Sequence, residues 1–175
     1  MTVNPSDPPH VLVAYGSKSG STARIARTVA ETLSRHGCPA EAAPGGRVKD
    51  VTPYDAVVVG GALYAGHWHR DARRFVHRHR RELEERPLWL FSSGPLDASA
   101  GEREIPPVPG VRRTMDRLDA RGHVTFGGSL QEGAKGRMAR MLLRNGKGGD
   151  FRDDAAIEAW ASRVAAELTA PPEAA

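Results

Sequence analysis

The sequence predicts the α/β fold class, with helices covering a parallel β-sheet. Apolar segments of strand length alternate with segments of helical periodicity along the chain. Residues 56–60, Ala-Val-Val-Val-Gly, are apolar without alternation, which is typical of a strand buried on both faces of a parallel sheet. The first apolar segment runs directly into a glycine- and hydroxyl-rich turn that opens a helix, so this part of the chain is a strand–helix unit.

Five strands are predicted, at residues 11–15, 39–43, 56–60, 87–92 and 124–130. Four helices alternate with them: the first ends at Gly37, the second begins near Asp71, the third covers 111–118, and the last begins at Asp153 or Asp154. Three of these helices have an apolar face at helical spacing. These faces comprise Ile25, Ala26, Val29, Ala30 and Leu33; Ala72, Phe75, Val76 and Leu83; and Ile157, Trp160, Ala161, Val164, Ala165 and Leu168.

With 175 residues, the chain has the length of one ordinary domain, and we expect flexible tails at 1–9 and 170–175. One cysteine, Cys38, excludes an internal disulfide framework; we expect a small packed hydrophobe there, with a catalytic thiol as the alternative. The polar start lacks the apolar core of a signal peptide, and no segment approaches the roughly 18 apolar residues of a membrane span. We therefore expect a cytoplasmic protein.

The turn after the first strand has the composition of an anion-binding site. Residues 17–22 read Ser-Lys-Ser-Gly-Ser-Thr, so backbone N–H groups and hydroxyls can surround a phosphate at the positive end of the next helix. The spacing matches neither a Walker loop nor a dinucleotide fingerprint. It resembles the flavodoxin phosphate loop T-x-T-G-x-T, with serine at two of the three threonine positions. An ordinary turn, rich in serine because serine caps helices well, is the alternative.

A phosphate turn after the first of five strands fits a flavodoxin-like three-layer sandwich with sheet order 2-1-3-4-5. Ligands in such sheets lie beyond the carboxyl ends of the strands. The loops at 61–69 and 93–97, after the third and fourth strands, should therefore lie beside the phosphate turn. Tyr64 and Trp68 could stack on a flat ring there, or could simply pack against the domain.

Four further aromatic or imidazole side chains have simpler expected roles. His67 and His69 flank Trp68, but no carboxylate or thiol at ligand spacing accompanies them, so we predict no metal site. Trp89 and Phe91 lie inside a predicted strand and should belong to the core.

The chain also resembles the flavodoxin-like menaquinone-dependent protoporphyrinogen oxidases. The similarity rests on residues 58–67, on Arg74-Phe75-Val76, on residues 149–153 before a Trp-containing terminal helix, and on an insertion at 131–149 after the fifth strand. It implies non-covalent FMN, with the phosphate on the turn and the flavin ring between the next two loops. The implied cofactor-binding residues are Ser17, Lys18, Ser19, Gly20, Ser21 and Thr22; Ala62, Leu63, Tyr64, Ala65 and Gly66; and Ser92, Ser93, Gly94, Pro95, Leu96 and Asp97.

Basic residues give the chain a net charge of +4 and cluster at 70–81 and 135–147, whereas small flavodoxins are typically acidic. Within the insertion, Met138, Met141 and Leu142 share a helical face among Arg137, Arg140 and Arg144. Such a basic amphipathic segment is typical of contact with an anionic membrane; the alternative is a solvated helix packed on the domain. Nucleic-acid binding is not expected, because no stacking aromatics are interleaved with the charges.

Two hypotheses for the function follow. The first is an FMN-dependent oxidoreductase of the protoporphyrinogen oxidase type, with a porphyrinogen substrate and a quinone acceptor. The second is a flavodoxin-type electron carrier that docks on a redox partner protein. A flavodoxin-like scaffold without flavin is a third alternative, and the sequence assigns no catalytic acid or base.

Overall fold

The computed structural model of the protein describes residues 7–18, 20–94, 103–130, 144 and 149–171. The strands of the central sheet are β1 (Val11–Gly16), β2 (Ala40–Pro44), β3 (Ala56–Tyr64), β4 (His67–Trp68), β5 (Leu88–Gly94) and β6 (Gly122–Gly127). Five of them are parallel, in the spatial order β2-β1-β3-β5-β6, and the short strand β4 pairs antiparallel with the end of β3. The parallel strands therefore follow the predicted order 2-1-3-4-5.

Helices cover both faces of the sheet, which confirms the three-layer sandwich. They are α1 (Ser21–Arg35), α2 (Arg70–Arg78), α3 (Arg80–Glu84), α4 (Pro109–Leu118) and α5 (Asp154–Thr169). α1 and α5 pack on one face, and α2, α3 and α4 pack on the other. A separate antiparallel pair, β7 (Ser129–Leu130) and β8 (Gly149–Asp150), follows β6.

The strand residues alternate between the two halves of the core. Val11 and Val13 pack toward α1 and α5, whereas Leu12 and Ala14 pack toward α2. Both faces are buried, so these strands are apolar without alternation in the sequence. Trp89 and Phe91 are buried as predicted, and so are the predicted apolar faces of the helices except Val76 and Leu168, which are partly buried.

Cys38 is fully buried in the same half of the core as α1. Burial raises the pKa of its thiol, because an apolar surrounding disfavours the thiolate. The structure therefore supports the packed hydrophobe rather than the catalytic thiol.

The third strand is longer than predicted and ends in a hairpin. β3 continues to Tyr64, and Tyr64 pairs with His67 across a two-residue turn. Both turn residues have positive φ, 47° at Ala65 and 77° at Gly66, as a type I′ hairpin turn requires. The expected loop is thus a sheet extension, because a turn of this type continues the twist of the strands.

Other boundaries differ from the prediction as well. β5 continues to Gly94, two residues past the predicted end at Ser92, because Ser93 and Gly94 pair with β6; these two residues therefore belong to the strand and not to the loop expected at 93–97. The second helix is divided at His79, whose backbone leaves the helical region (φ −104°, ψ 23°). The fifth parallel strand ends at Gly127 instead of 130, because residue 151 crosses it closely: a Cβ at Gly127 would lie 2.0 Å from the carbonyl oxygen of Phe151. None of the helices in the described ranges has the length and apolar character needed to cross a membrane.

Candidate functional site

The carboxyl ends of β1, β3 and β5 meet at one edge of the sheet. Gly16 lies opposite Gly61, and Gly61 lies opposite Ser92, so the three strands end side by side. The turn after β1, the β3–β4 hairpin and the end of β5 therefore converge, as the sequence predicts. Adjacent strands are only about 4.8 Å apart, so one ligand can contact all three.

The amino end of α1 is open toward this edge. Gly20 occupies the N-cap position of α1 with a left-handed backbone (φ 77°). No side chain of the described residues caps this helix, and the first turn of α1 contains no acidic residue. The first N–H groups of a helix have no acceptor within it, and the helix dipole makes them favourable partners for an anion. Any side chain at residue 20 would strain this conformation.

Two hydroxyl groups beside this helix start are buried and have no hydrogen-bond partner among the residues that the structure describes: Ser17 Oγ and Thr22 Oγ1. Thr22 is fully buried as a residue. Leaving such a group unpaired costs about 1–3 kcal/mol. Hydroxyl donors and open N–H groups at one point form a donor set that fits a phosphate.

Ser21 is placed differently from its neighbours in the turn. Its hydroxyl oxygen accepts a hydrogen bond from the backbone N–H of Ser129 at 3.1 Å. This bond ties the start of α1 to the chain that follows β6. A hydroxyl has one donor as well, so Ser21 can hold this contact and still donate to a ligand.

Tyr64 connects the hairpin to the phosphate turn. Its hydroxyl oxygen accepts a hydrogen bond from the backbone N–H of Lys18 at 3.2 Å, and the Lys18 ammonium lies 5.8 Å from the centre of the tyrosine ring. The ring is half-buried and meets His69 edge to face at 5.8 Å between centroids. The ring of Tyr64 is therefore held between the two segments at the sheet edge.

Trp68 belongs to the core, so the packing alternative holds for this residue. It is 4 % exposed, and its indole packs so closely on Gly61 that a Cβ at this glycine would lie 2.4 Å from the nearest ring atom. The indole N–H donates to Ser92 Oγ at 2.9 Å, and Ser92 Oγ also hydrogen-bonds His123 Nε2 at 2.9 Å. The hydroxyl of Ser92 thus connects Trp68 of the hairpin to His123 of β6 in one side-chain network.

His123 is a residue of this network that no motif indicated. Burial, with a smaller contribution from the nearby Arg112, lowers its pKa to about 4, so the ring is neutral near pH 7. The only signal in the sequence was a histidine immediately before the predicted strand 124–130.

His69 caps α2, since its Nδ1 accepts from the backbone N–H of Asp71 at 3.4 Å. Burial is the main cause of the lowered pKa of His69. No group of three potential metal-ligating side chains occurs among the residues that the structure describes.

A short ion pair holds the chain that returns after the insertion. The Arg152 guanidinium donates to the Asp150 carboxylate, with Nε 2.8 Å from Oδ1. Hydrogen bonding to Arg152 lowers the pKa of Asp150 to about 2. Between these two residues, the backbone N–H of Phe151 donates to the carbonyl oxygen of Gly128 at 2.9 Å, which places this segment close to Ser129, the residue that Ser21 contacts.

The other expected site residues that the structure describes lie at the ends of β3 and β5 and in the hairpin turn. Ala62, Leu63 and Ser93 lie on β3 and β5 near the sheet edge, Gly94 ends β5, and Ala65 and Gly66 form the exposed hairpin turn. Other expected residues lie outside the described part of the chain, namely Ser19, Pro95, Leu96 and Asp97 of the site and Arg137, Met138, Arg140, Met141 and Leu142 of the insertion.

The sequence is similar to that of known proteins. Residues 12–145 match the family model of the flavodoxin domain. Protoporphyrinogen IX dehydrogenase [quinone] of Escherichia coli K12 is 30% identical over 97 residues, which cover 54% of this chain and 53% of that protein. The chain thus aligns with about half the length of this curated relative.

Solved structures show the same fold. A flavodoxin variant from Pseudomonas aeruginosa superposes with a TM-score of 0.62 at 18% identity, covering 92% of this chain and 99% of its own. A flavodoxin from the domain Archaea gives 0.59 at 11% identity, with the same coverage of both chains. The family match extends over most of the chain and the fold agrees, so this protein belongs to the flavodoxin-domain family.

Proposed function

We propose that the protein binds FMN at the open end of α1 and exchanges electrons through it. The observation that carries this proposal is the pair of buried hydroxyls of Ser17 and Thr22 beside the start of α1. Within the described part of the chain, these hydroxyls have no hydrogen-bond partner and no side chain caps the helix. One phosphate turn is present and the chain has no dinucleotide fingerprint. A flavin with one phosphate therefore fits better than FAD.

The residues of the turn would bind the phosphate through charge-assisted hydrogen bonds. Ser17 and Thr22 would donate their O–H groups, the first turn of α1 would donate backbone N–H groups, and Ser19 would add a third hydroxyl. The hairpin that carries Tyr64 would hold the ring. When bound, the flavin supplies one- or two-electron chemistry, and the protein sets its orientation and surroundings.

The first candidate activity is oxidation of a porphyrinogen with a quinone as acceptor. It is supported by the similarity to protoporphyrinogen IX dehydrogenase [quinone] of Escherichia coli K12. The basic helix α2 is also consistent with an acidic substrate, since a porphyrinogen bears carboxylates. In this proposal the basic insertion contacts an anionic membrane from the cytoplasmic side, where a quinone is dissolved.

The second candidate is an electron carrier that docks on a redox partner protein. The exposed hairpin turn, Ala65 and Gly66, favours it, because a carrier needs an accessible edge near its flavin. A carrier would need no substrate pocket of its own.

Two measurements test these proposals. The absorption spectrum of the purified protein, followed by chromatography of the extracted cofactor, should show FMN. Extraction of FAD, or no uptake of either flavin at micromolar concentration, would contradict the binding proposal. Holoprotein with protoporphyrinogen and a menaquinone analogue should then produce porphyrin fluorescence faster than autoxidation. If this fails but a flavodoxin reductase reduces the holoprotein rapidly, the carrier is the better assignment.

A further inference from the structure

A groove lies between α2 and α4, on the side of the sheet away from α1 and α5. Its volume is about 330 Å³, and both residues of β4 line it. The buried side chains of Trp68, Val111 and Leu118 line it, together with the half-buried Val76 and Val108. This volume is at the lower end of the range of about 300–1,000 Å³ that is usual for small-molecule sites. It fits a ligand whose body consists of one or two rings.

The charged side chains that line this groove are guanidinium groups. Arg73 and Arg80 of α2 and α3 line it opposite Arg117 of α4, and His67 and His77 add imidazoles. No aspartate or glutamate of the described chain lines it. Arg80 is neutralised by Glu84, with Nε 2.8 Å from the carboxylate. Arg73 and Arg117, in contrast, have no carboxylate within 4.0 Å among the described residues.

The other arginines of α2 show that this arrangement is not a uniform basic face. Arg78 donates to the carbonyl oxygens of Gly45 and Val48 at 2.8 and 3.1 Å, so it stabilises the turn after β2. Arg74 is exposed and does not line the groove. Two uncompensated guanidinium groups therefore line an apolar groove from facing helices.

We infer that this groove binds a small organic dianion with an apolar body of one or two rings and two carboxylates. The body would lie against Trp68, Val111 and Leu118, while Arg73 and Arg117 would each bind one carboxylate. A guanidinium matches the geometry of a carboxylate and can donate two parallel hydrogen bonds. None of the residues of the phosphate turn lines the groove, so this site is separate from the proposed phosphate site. His67 and Trp68 belong to the hairpin that would hold the flavin ring, so the groove lies next to the proposed ring site.

The test uses 2,6-naphthalenedicarboxylate as the probe and 2,6-naphthalenedimethanol as its uncharged counterpart. Titration calorimetry of the full-length protein, with and without saturating FMN, should show binding of the dicarboxylate at one site and much weaker binding of the diol. The double variant Arg73→Gln/Arg117→Gln should lose at least about tenfold in affinity for the dicarboxylate.

The matched control is Arg74→Gln/Arg113→Gln, which removes the same charge from exposed positions on the same two helices outside the groove. We expect less than a twofold loss there. A second variant, Thr114→Phe, fills the groove without changing charge and should also abolish binding. Equal losses in both double variants, equal affinity for the diol, or no saturable binding at millimolar probe would overturn the inference. Because Thr22→Val should weaken only FMN, retained probe binding in that variant separates the two sites.

Discussion

Thr22→Val gives the sharpest test of the phosphate site, because stability and affinity should change in opposite directions. The substitution replaces a buried hydroxyl, which forms no hydrogen bond with any residue that the structure describes, with a methyl group of nearly the same size. Removing an unpaired buried polar group recovers part of a cost of about 1–3 kcal/mol. The protein without flavin should therefore unfold at a higher temperature, by about 2–4 °C for each kcal/mol recovered.

The affinity for FMN should fall in the same variant. A hydrogen bond from a hydroxyl to a charged phosphate is worth about 1.5–3 kcal/mol, which corresponds to a 10- to 150-fold increase in Kd. Fluorescence quenching of FMN during titration of the apoprotein measures this directly. Riboflavin, which has no phosphate, should bind to both proteins with similar affinity.

Thr32→Val is the matched control on the same helix. Thr32 is also buried, but its hydroxyl donates to the carbonyl oxygen of Thr28 at 2.8 Å and accepts from Arg35. Its loss should lower stability by about 0.5–1.5 kcal/mol and leave FMN affinity unchanged. If Thr22→Val instead destabilises the apoprotein, and the variant protein binds FMN with unchanged affinity, then the hydroxyl of Thr22 does not face the phosphate.

Three further predictions concern the hairpin and its support. Ala65→Asn should stabilise the fold by about 0.5 kcal/mol in chemical denaturation, because the type I′ turn favours Asn-Gly over Ala-Gly; a loss of stability would contradict the turn assignment. Gly61→Ala should lower the free energy of unfolding by about 1–3 kcal/mol, because the added Cβ would lie 2.4 Å from the Trp68 indole. The control Gly46→Ala should leave the stability nearly unchanged, because there is open space around residue 46. The pKa of His123 is about 4 in the folded protein, below its unfolded value of 6.5. Between these two pH values the unfolded chain binds more protons than the folded protein does. The free energy of unfolding should therefore rise with pH across this window, by about 3 kcal/mol in total. His123→Gln, which can still hydrogen-bond Ser92, should remove most of this rise, and an unchanged pH profile would show that another group causes it.

The local pattern of the sequence was sufficient to predict the sheet and the place of the phosphate turn. Strands buried on both faces appear as short apolar runs, and a turn rich in glycine and serine marks where the first of them ends. The sheet order then follows from the few connections that parallel sheets permit. These properties depend on neighbouring residues, so they are visible without coordinates.

The tertiary structure decided which of these side chains are available to a ligand. The sequence left Trp68 open between stacking on a ring and packing in the domain, and the family resemblance implied Ser92 as a cofactor contact. In the structure these two side chains hydrogen-bond each other within the core. Periodicity could not reveal this bond, because it joins residues 24 positions apart and depends on how the hairpin folds back over Gly61. The same reason applies to His123, which reaches Ser92 from the adjacent strand.

The groove between α2 and α4 illustrates the same limit. From the sequence alone, the arginines of α2 form one solvated basic face. Only the packing of two helices on the sheet separates Arg78, which binds backbone carbonyls, from Arg73, which faces a cavity shared with Arg117. The chain determined the elements and their order from local chemistry, whereas long-range packing determined which hydroxyls and guanidinium groups were left to bind something else.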